Sequence, residues 1–395
     1  MRGRLILGAI AVLAAVDVFA VRHVGFEIDS FNRAYPASYA RSFAFSPVAF
    51  ELDCVLLAES LDTIPKANVS STMGVLIDFP SAYRPVIQAF EDRTNGLAVV
   101  SARGFCVSDI ALASPTFRTH IQSEYQSEVM RLLPKEGAEA WFKAMLDGEM
   151  EDFEISAEAA RSWRYSFYDL VSVSAAWEEP FPLENTRPVQ FFPEGDTNGV
   201  EVVCMSDVRV AELLEEKEYS ILRLPLKGGA FFFAVLPREG FSLDGAKSDM
   251  TSMEIEGVIA SFGSGSSSDM RRYSGPCSIV LPRMELSSRT DLLGMLRYFR
   301  VPTSGLKHVA PGSSAGEIVQ YAKFSLLEHG RDEKALVRKG DDEIIPEPSA
   351  AKKAVFNRPF VFFIYHEATA TIPVAGQFTG NTPLAFGKLP EPKSK

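Results

Sequence analysis

An enzyme site needs a nucleophile, a base or metal ligands held at fixed spacing, so residues of those types are taken first. The chain carries Cys54, Cys106, Cys204 and Cys277, and His23, His120, His308, His329 and His366. No CxxC occurs and no histidine stands at ligand spacing, so a zinc site is not expected. Each cysteine lies in an apolar stretch such as Cys54-Val55-Leu56-Leu57, which predicts buried free thiols rather than a disulfide. There is no GxSxG, no P-loop, no GxGxxG before a helix and no HExxH; His366-Glu367 lacks the second histidine. The paired carboxylates Asp341-Asp342 and Glu178-Glu179 fall in charged runs and read as solvated surface. Asn68-Val69-Ser70 fits a glycan acceptor. The expectation is a protein that is not an enzyme and that needs no cofactor or metal.

The rest of the chain must then be read for elements and organisation. Its 395 residues allow one large domain or two ordinary ones. At 46% hydrophobic and 23% charged, it can bury a core, which excludes disorder for most of its length. A net charge of −11 with no long basic run argues against a nucleic-acid partner. Phe is over-used, with 29 against 3 Trp and 11 Tyr, which suits core packing and strands.

Arg2 and Arg4 precede an apolar run from Leu5 to Val16, and Val18 and Ala20 suit a signal peptidase. Residues 1–20 therefore read as a signal peptide, and the product as secreted or extracytoplasmic. The competing reading is a hydrophobic first helix, since Phe26, Ile28 and Phe31 continue a helical spacing. Helices are expected over Pro47–Leu61, Phe117–Leu133, Glu136–Leu146 and Asp291–Phe299. Strands are expected over Leu97–Cys106, Val200–Met205, Tyr219–Leu226, Ala230–Leu236, Ile279–Leu286, Val319–Leu327, Phe360–Ile364 and Ala370–Ala375. Lys227-Gly228-Gly229 is a hairpin turn signal, and Ser261–Ser268 reads as a Gly/Ser loop. Helices come first and strands later, which predicts an α+β fold. Glu328–Lys353 interrupts the pattern as a long, densely charged connection between two strands. A connection of that length is either functional or a solvated linker.

The closing run Val355-Phe356-Asn357-Arg358-Pro359-Phe360-Val361-Phe362-Phe363-Ile364 closely resembles the signature of serpins. Pro373–Phe378, with Asn381 and Pro383, resembles their last strand. Upstream, in order, Phe45-Ser46-Pro47-Val48, Trp177-Glu178-Glu179-Pro180-Phe181, Thr186, Phe192, Cys204-Met205, Leu222–Gly228, Val235-Leu236-Pro237, Leu281–Met284 and Asp291-Leu292 also match. The resemblance implies one monomeric domain over residues 21–395, with three β-sheets, about nine helices and an exposed reactive-centre loop at about 328–355. It further implies an extracellular protease as partner. In inhibitory members the protease forms an ester with the loop, and the cut loop inserts into the main sheet, distorting the protease.

The hinge of that loop departs from the inhibitory pattern. Inhibitory serpins carry Glu-Glu-Gly-Thr and then small residues; here the positions are Glu328, His329, Gly330 and Arg331, followed by Asp332-Glu333-Lys334-Ala335. An inserted strand would turn Arg331, Glu333, Ala335, Val337 and Lys339 toward the core. The opposite face, Asp332, Lys334, Leu336 and Arg338, is no better. Each unpaired buried charge costs roughly several kcal/mol, although snorkelling relieves part of this. The family spacing counted from Glu328 puts the scissile bond at Ile344-Ile345, suited to an apolar-pocket protease, whereas counting back from Pro359 reaches the Pro348 region. Arg338 and Lys339 suit trypsin-like enzymes but come too early. Where serpins place an Asn and a His facing each other beneath the central strands, the alignment gives Asp169 and Gln320. With Ser46 and Trp177 these mark the region where the sheet opens. The expected behaviour is non-inhibitory or substrate-like; the alternative is a working suicide inhibitor.

Overall fold

The computed structural model describes residues 24–34, 41–91, 93–150, 153–156, 165–244, 252–264, 271–330 and 351–380. The signal segment and the loop residues Arg331, Glu333, Ala335, Ile344 and Ile345 lie outside them, as do Asn381 and Pro383.

The central helix shows why the first third of the chain is helical and buried. Ser46 caps α2 (Pro47–Glu59) by accepting the Ala49 N–H, and Pro47 fills the first turn, where no N–H is needed. All 13 residues of α2 are buried, Glu51 and Asp53 included, so it is a core helix rather than an amphipathic surface one. Around it lie α1 (24–34), α3 (Thr63–Met73), α4 (Phe79–Glu91) and α5 (Pro115–Tyr125). Then follow α6 (Lys135–Met145), α7 (Ser252–Ser264) and α8 (Leu293–Tyr298), giving eight helices among the described residues.

Five strands form the main sheet in the order β10-β11-β4-β2-β3: β10 is Met284–Asp291, β11 Ala315–Leu326, β4 Tyr165–Ala175, β2 Leu97–Val107 and β3 Glu128–Arg131. At its centre β4 and β11 run parallel in register from Ile318↔Phe167 to Leu326↔Ala175. β4 is buried along its whole length and β11 over Ile318–Ala322, with layers packed on both faces. Side chains alternate. Phe167, Val171, Val173, Ala322 and Phe324 face the inner core, while Tyr168, Leu170, Val319 and Tyr321 pack under Phe142 of α6 and Phe153.

The remaining strands are β1 (Phe43–Phe45), β5 (Arg187–Phe191), β6 (Val200–Glu215), β7 (Tyr219–Leu226), β8 (Ala230–Pro237), β9 (Arg271–Pro282), β12 (Lys352–Val355), β13 (Phe360–His366) and β14 (Thr371–Phe378). They make one hydrogen-bonded path, but β6 meets β7 only over Glu212–Glu215. The path is thus two sheets, β12-β9-β6-β5 and β7-β8-β13-β14-β1, sharing a corner, and with the main sheet the total is three. The fold is α+β, as the order of elements predicts.

Four expectations shift. The helix expected over Phe117–Leu133 stops at Tyr125, because Gln126 takes a left-handed φ of 53° and Glu128–Arg131 pairs with β2 instead. The start of the Gly/Ser loop belongs to α7, which runs to Ser264. The strand Ile279–Leu286 is broken at Arg283, since β9 and β10 belong to different sheets. The last residues of the segment expected as a loop at about 328–355 are strand instead, because Lys352–Val355 pairs in parallel with Cys277–Val280. All four cysteines are free and buried, as expected. The Lys227-Gly228-Gly229 turn is present, both glycines having positive φ.

Candidate functional site

β4 and β11 are parallel neighbours at the centre of the main sheet, and the residues expected at the opening region lie along their seam, so the side chains that join these two strands form the candidate site. They fall in two clusters at different heights of the seam.

The first cluster is beneath the middle of the sheet. Arg103 of β2, Asp169 of β4 and Gln320 of β11 occupy matched positions on adjacent strands and face α2. Gln320 Nε2 donates to Asp169 Oδ2 at 2.9 Å and to the Ser46 carbonyl at 3.1 Å, while Gln320 Oε1 accepts the Ser46 N–H at 2.8 Å. One amide side chain therefore ties β4, β11 and the start of α2 together. Asp53 of α2 and Arg103 complete the cluster, with Arg103 Nε 3.1 Å from Asp169 Oδ1 and 3.5 Å from Asp53 Oδ1. Burial, then the neighbouring Asp169, push the Asp53 carboxyl well above the usual carboxylate range, against the pull of Arg103. Burial also raises Asp169, while Arg103 and the Gln320 amide hold it back.

The second cluster is at the end of the seam, where β11 leaves the sheet. Glu328 is fully buried; its carboxylate accepts from Thr186 Oγ1 at 2.6 Å and pairs with Arg283 Nε at 3.0 Å. Its carbonyl accepts the Phe181 N–H at 3.1 Å. Gly330 follows with a φ of 109°, a conformation side-chain-bearing residues rarely adopt, and a Cβ there would press on Ala176. Trp177 is buried edge-on against Phe181 and Phe232. Arg209 of β6 lies over the Phe181 ring and donates to the Pro180 carbonyl at 3.0 Å. The turn after β4 is thus fixed to the segment Leu327–Gly330 that follows β11.

Above the sheet, α6 and the segment after it cover the same seam. Lys323 of β11 donates to the Glu149 carbonyl at 3.0 Å, and Ser172 of β4 to the Glu149 carboxylate at 3.1 Å. Glu317 of β11 accepts from Ser156 and from the Tyr168 hydroxyl. Together these part-buried and exposed contacts, with the buried Asp169–Gln320 bond below, hold β4, β11 and the segment after α6 together along the seam.

Of the residues expected at the opening region, Ser46, Asp169 and Gln320 meet directly, while Trp177 stands with Glu328 and Gly330 at the other cluster. Asp53, Arg103 and Arg283 are additions that sequence reasoning missed. The signal was there for two of them: Asp53 interrupts the apolar run of α2, and Arg103 that of β2. A charge in such a run implies a buried partner. Among the described residues no group of His, Cys, Asp and Glu side chains could hold a metal ion.

Residues 23–380 match the family model described as Serpin (serine protease inhibitor). Alpha-1-antitrypsin of Sus scrofa is 23% identical over 363 residues, covering 88% of this chain and 80% of that protein. Serpin B13 of Homo sapiens is 22% identical over 250 residues, and the match spans 61% of each chain. The solved structure of native protease nexin-1 with heparin superposes with a TM-score of 0.77 at 18% identity, covering 92% of this chain and 99% of that one.

Proposed function

The chain belongs to the serpin family, and from that premise we propose that it is a secreted, monomeric serpin whose reactive-centre loop an extracellular protease cuts as a substrate, without being trapped. A role as a binding protein fits the same reading. The observation that carries it is the charge on the strand that would have to form. Arg331, Glu333 and Lys339 would all turn toward the core if the segment from Arg331 entered between β4 and β11. Apart from the Asp169–Gln320 tie, the inward face awaiting it is apolar, with Val171, Val173, Ala322 and Phe324. At several kcal/mol for each unpaired buried charge, roughly, the cost offsets much of the gain from strand pairing. The buried Glu328 lock and the Asp169–Gln320 tie add to the resistance. The basic residues Arg2 and Arg4 before an apolar run support secretion.

A second reading has a specific observation in its favour. Gly330 keeps the glycine of the inhibitory hinge pattern, at a φ of 109° that residues with side chains rarely adopt, and Glu328 stands two residues before it as in inhibitory members. Relatives such as alpha-1-antitrypsin are named for inhibition. On this reading the loop is cut near Ile344-Ile345 and inserts.

Mixing the protein with elastase-like and trypsin-like proteases and resolving the products on denaturing gels separates the two. Clean cleavage with no higher-mass species is the expected result. A covalent complex that survives denaturation sinks the substrate reading and supports the inhibitory one.

A further inference from the structure

The cluster beneath the sheet has one carboxyl too many. Asp53 and Asp169 are fully buried, and the single cation they face, Arg103, is nearly so. If both aspartates were ionised, one negative charge would stand uncompensated in a dry interior, which is costly. The hydrogen bonding is short of donors as well. Asp53 Oδ1, Asp53 Oδ2 and Asp169 Oδ1 accept no aligned hydrogen bond from any donor among the described residues. One proton answers both facts. It balances the charge, and it converts an acceptor without a donor into a donor facing the other carboxylate.

Among the described residues no cation other than Arg103 lies within 4 Å of either carboxyl. From β11 the neighbour is the neutral Gln320, and from the start of α2 the Ser46 backbone. Farther along α2, Glu51 turns to Tyr83, whose hydroxyl donates to it at 2.5 Å, and the Cys54 thiol is held up by burial and stays neutral. Glu91 of α4 and Arg93 just after it border the same cavity of about 140 Å³ that Arg103 borders, and both are solvent-exposed. Tyr125 also borders it, with its hydroxyl on Glu59.

We propose that Asp53 and Asp169 share one proton while the main sheet is closed and release it when β4 and β11 part, so that opening of the sheet is favoured by rising pH. Parting removes the Gln320 amide from Asp169 and admits water, and hydrated aspartates ionise at their ordinary value. Proton binding and closure then favour each other reciprocally. The closed state holds the extra proton, so its advantage is complete in acid and is lost as pH rises through the pair's raised value. The inference rests on the closed fold alone and does not depend on whether the cleaved loop inserts.

Infrared spectra of the full chain, with aspartate side chains labelled with carbon-13, provide the first test. A label-shifted carbonyl band of protonated carboxylic acid is expected at neutral pH, fading on alkaline titration. Its absence overturns the proposal. The second test compares denaturant midpoints from about pH 5 to about pH 9 for the wild type, Asp53→Asn and Asp169→Asn. In each variant one carboxylate faces one guanidinium and no proton is needed. The wild-type unfolding constant is expected to rise by up to about tenfold per pH unit relative to the variants, the signature of one proton. Curves that stay parallel overturn the linkage; Glu27, whose carboxyl burial raises well above its usual range elsewhere in the core, is a background all three proteins share. If neither variant folds, the infrared result decides on the wild type alone.

Discussion

Arg103 is the residue on which the buried cluster depends most. It is the one side-chain cation within 4 Å of Asp53 and Asp169 among the described residues, and replacing it by Gln keeps bulk while removing charge. Arg103→Gln is expected to cost about 3–5 kcal/mol in denaturant unfolding, because it strands buried carboxyls rather than deleting a surface pair. His366 acts in the opposite pH direction. Burial lowers its pKa, and its ring packs on Phe90 with Nδ1 2.7 Å from Thr369 Oγ1. A neutral buried histidine gives stability that is complete above its unfolded value of about 6.5 and is lost as pH falls through its lower folded value. Acid titration of the midpoint should therefore flatten in His366→Gln. Both effects concern residues whose chemistry was visible in the sequence and whose partners were not. A buried acid in a mostly apolar helix announces a partner; only the packing names Arg103 for Asp53, distant along the chain.

At the scale of elements, the sequence was legible where one interaction dominates. The start of α2 follows from Ser46 and Pro47, and the hairpin of β7 and β8 from Gly228 and Gly229. Ser46→Ala should cost about 1 kcal/mol, the price of a cap alone, since Gln320 holds the Ser46 backbone and not its hydroxyl. A larger loss would mean that the side chain also supports the seam. Gly376 of β14 is a tighter constraint. A Cβ there would run into the Phe43 carbonyl of β1 and the Phe362 ring of β13. Gly376→Ala is expected to cost about 1–3 kcal/mol and to loosen β1, seen as faster amide exchange at Phe43–Phe45. Boundaries failed where pairing overrode local pattern. Glu128–Arg131 looks like the end of a helix until β2 offers it a neighbour, and Lys352–Val355 looks like loop until β9 does.

For the whole molecule, on the proposed reading, the decisive quantity is the balance between the closed five-stranded sheet and one that takes in the segment after Gly330. If charge on the inward face sets that balance, Arg331→Thr, Glu333→Ala and Lys339→Ala combined should convert a substrate into a trap. The checks are a covalent protease complex on denaturing gels and a large rise in the melting midpoint after loop cleavage, where the wild type shows little change. An unchanged triple variant would mean that the locks at Glu328 and Gln320 govern insertion instead. The sequence by itself determined the family, through the collinear run ending in Phe360–Ile364, and it placed the charge on the loop. These are properties of residue type and order, which need no coordinates. Only the tertiary structure decided which buried groups meet beneath the seam, that Glu328 is locked to Arg283 and Thr186, and that two aspartates share one arginine. Those contacts join strands and helices far apart in the chain, and their energies arise from burial, which no stretch of sequence fixes alone.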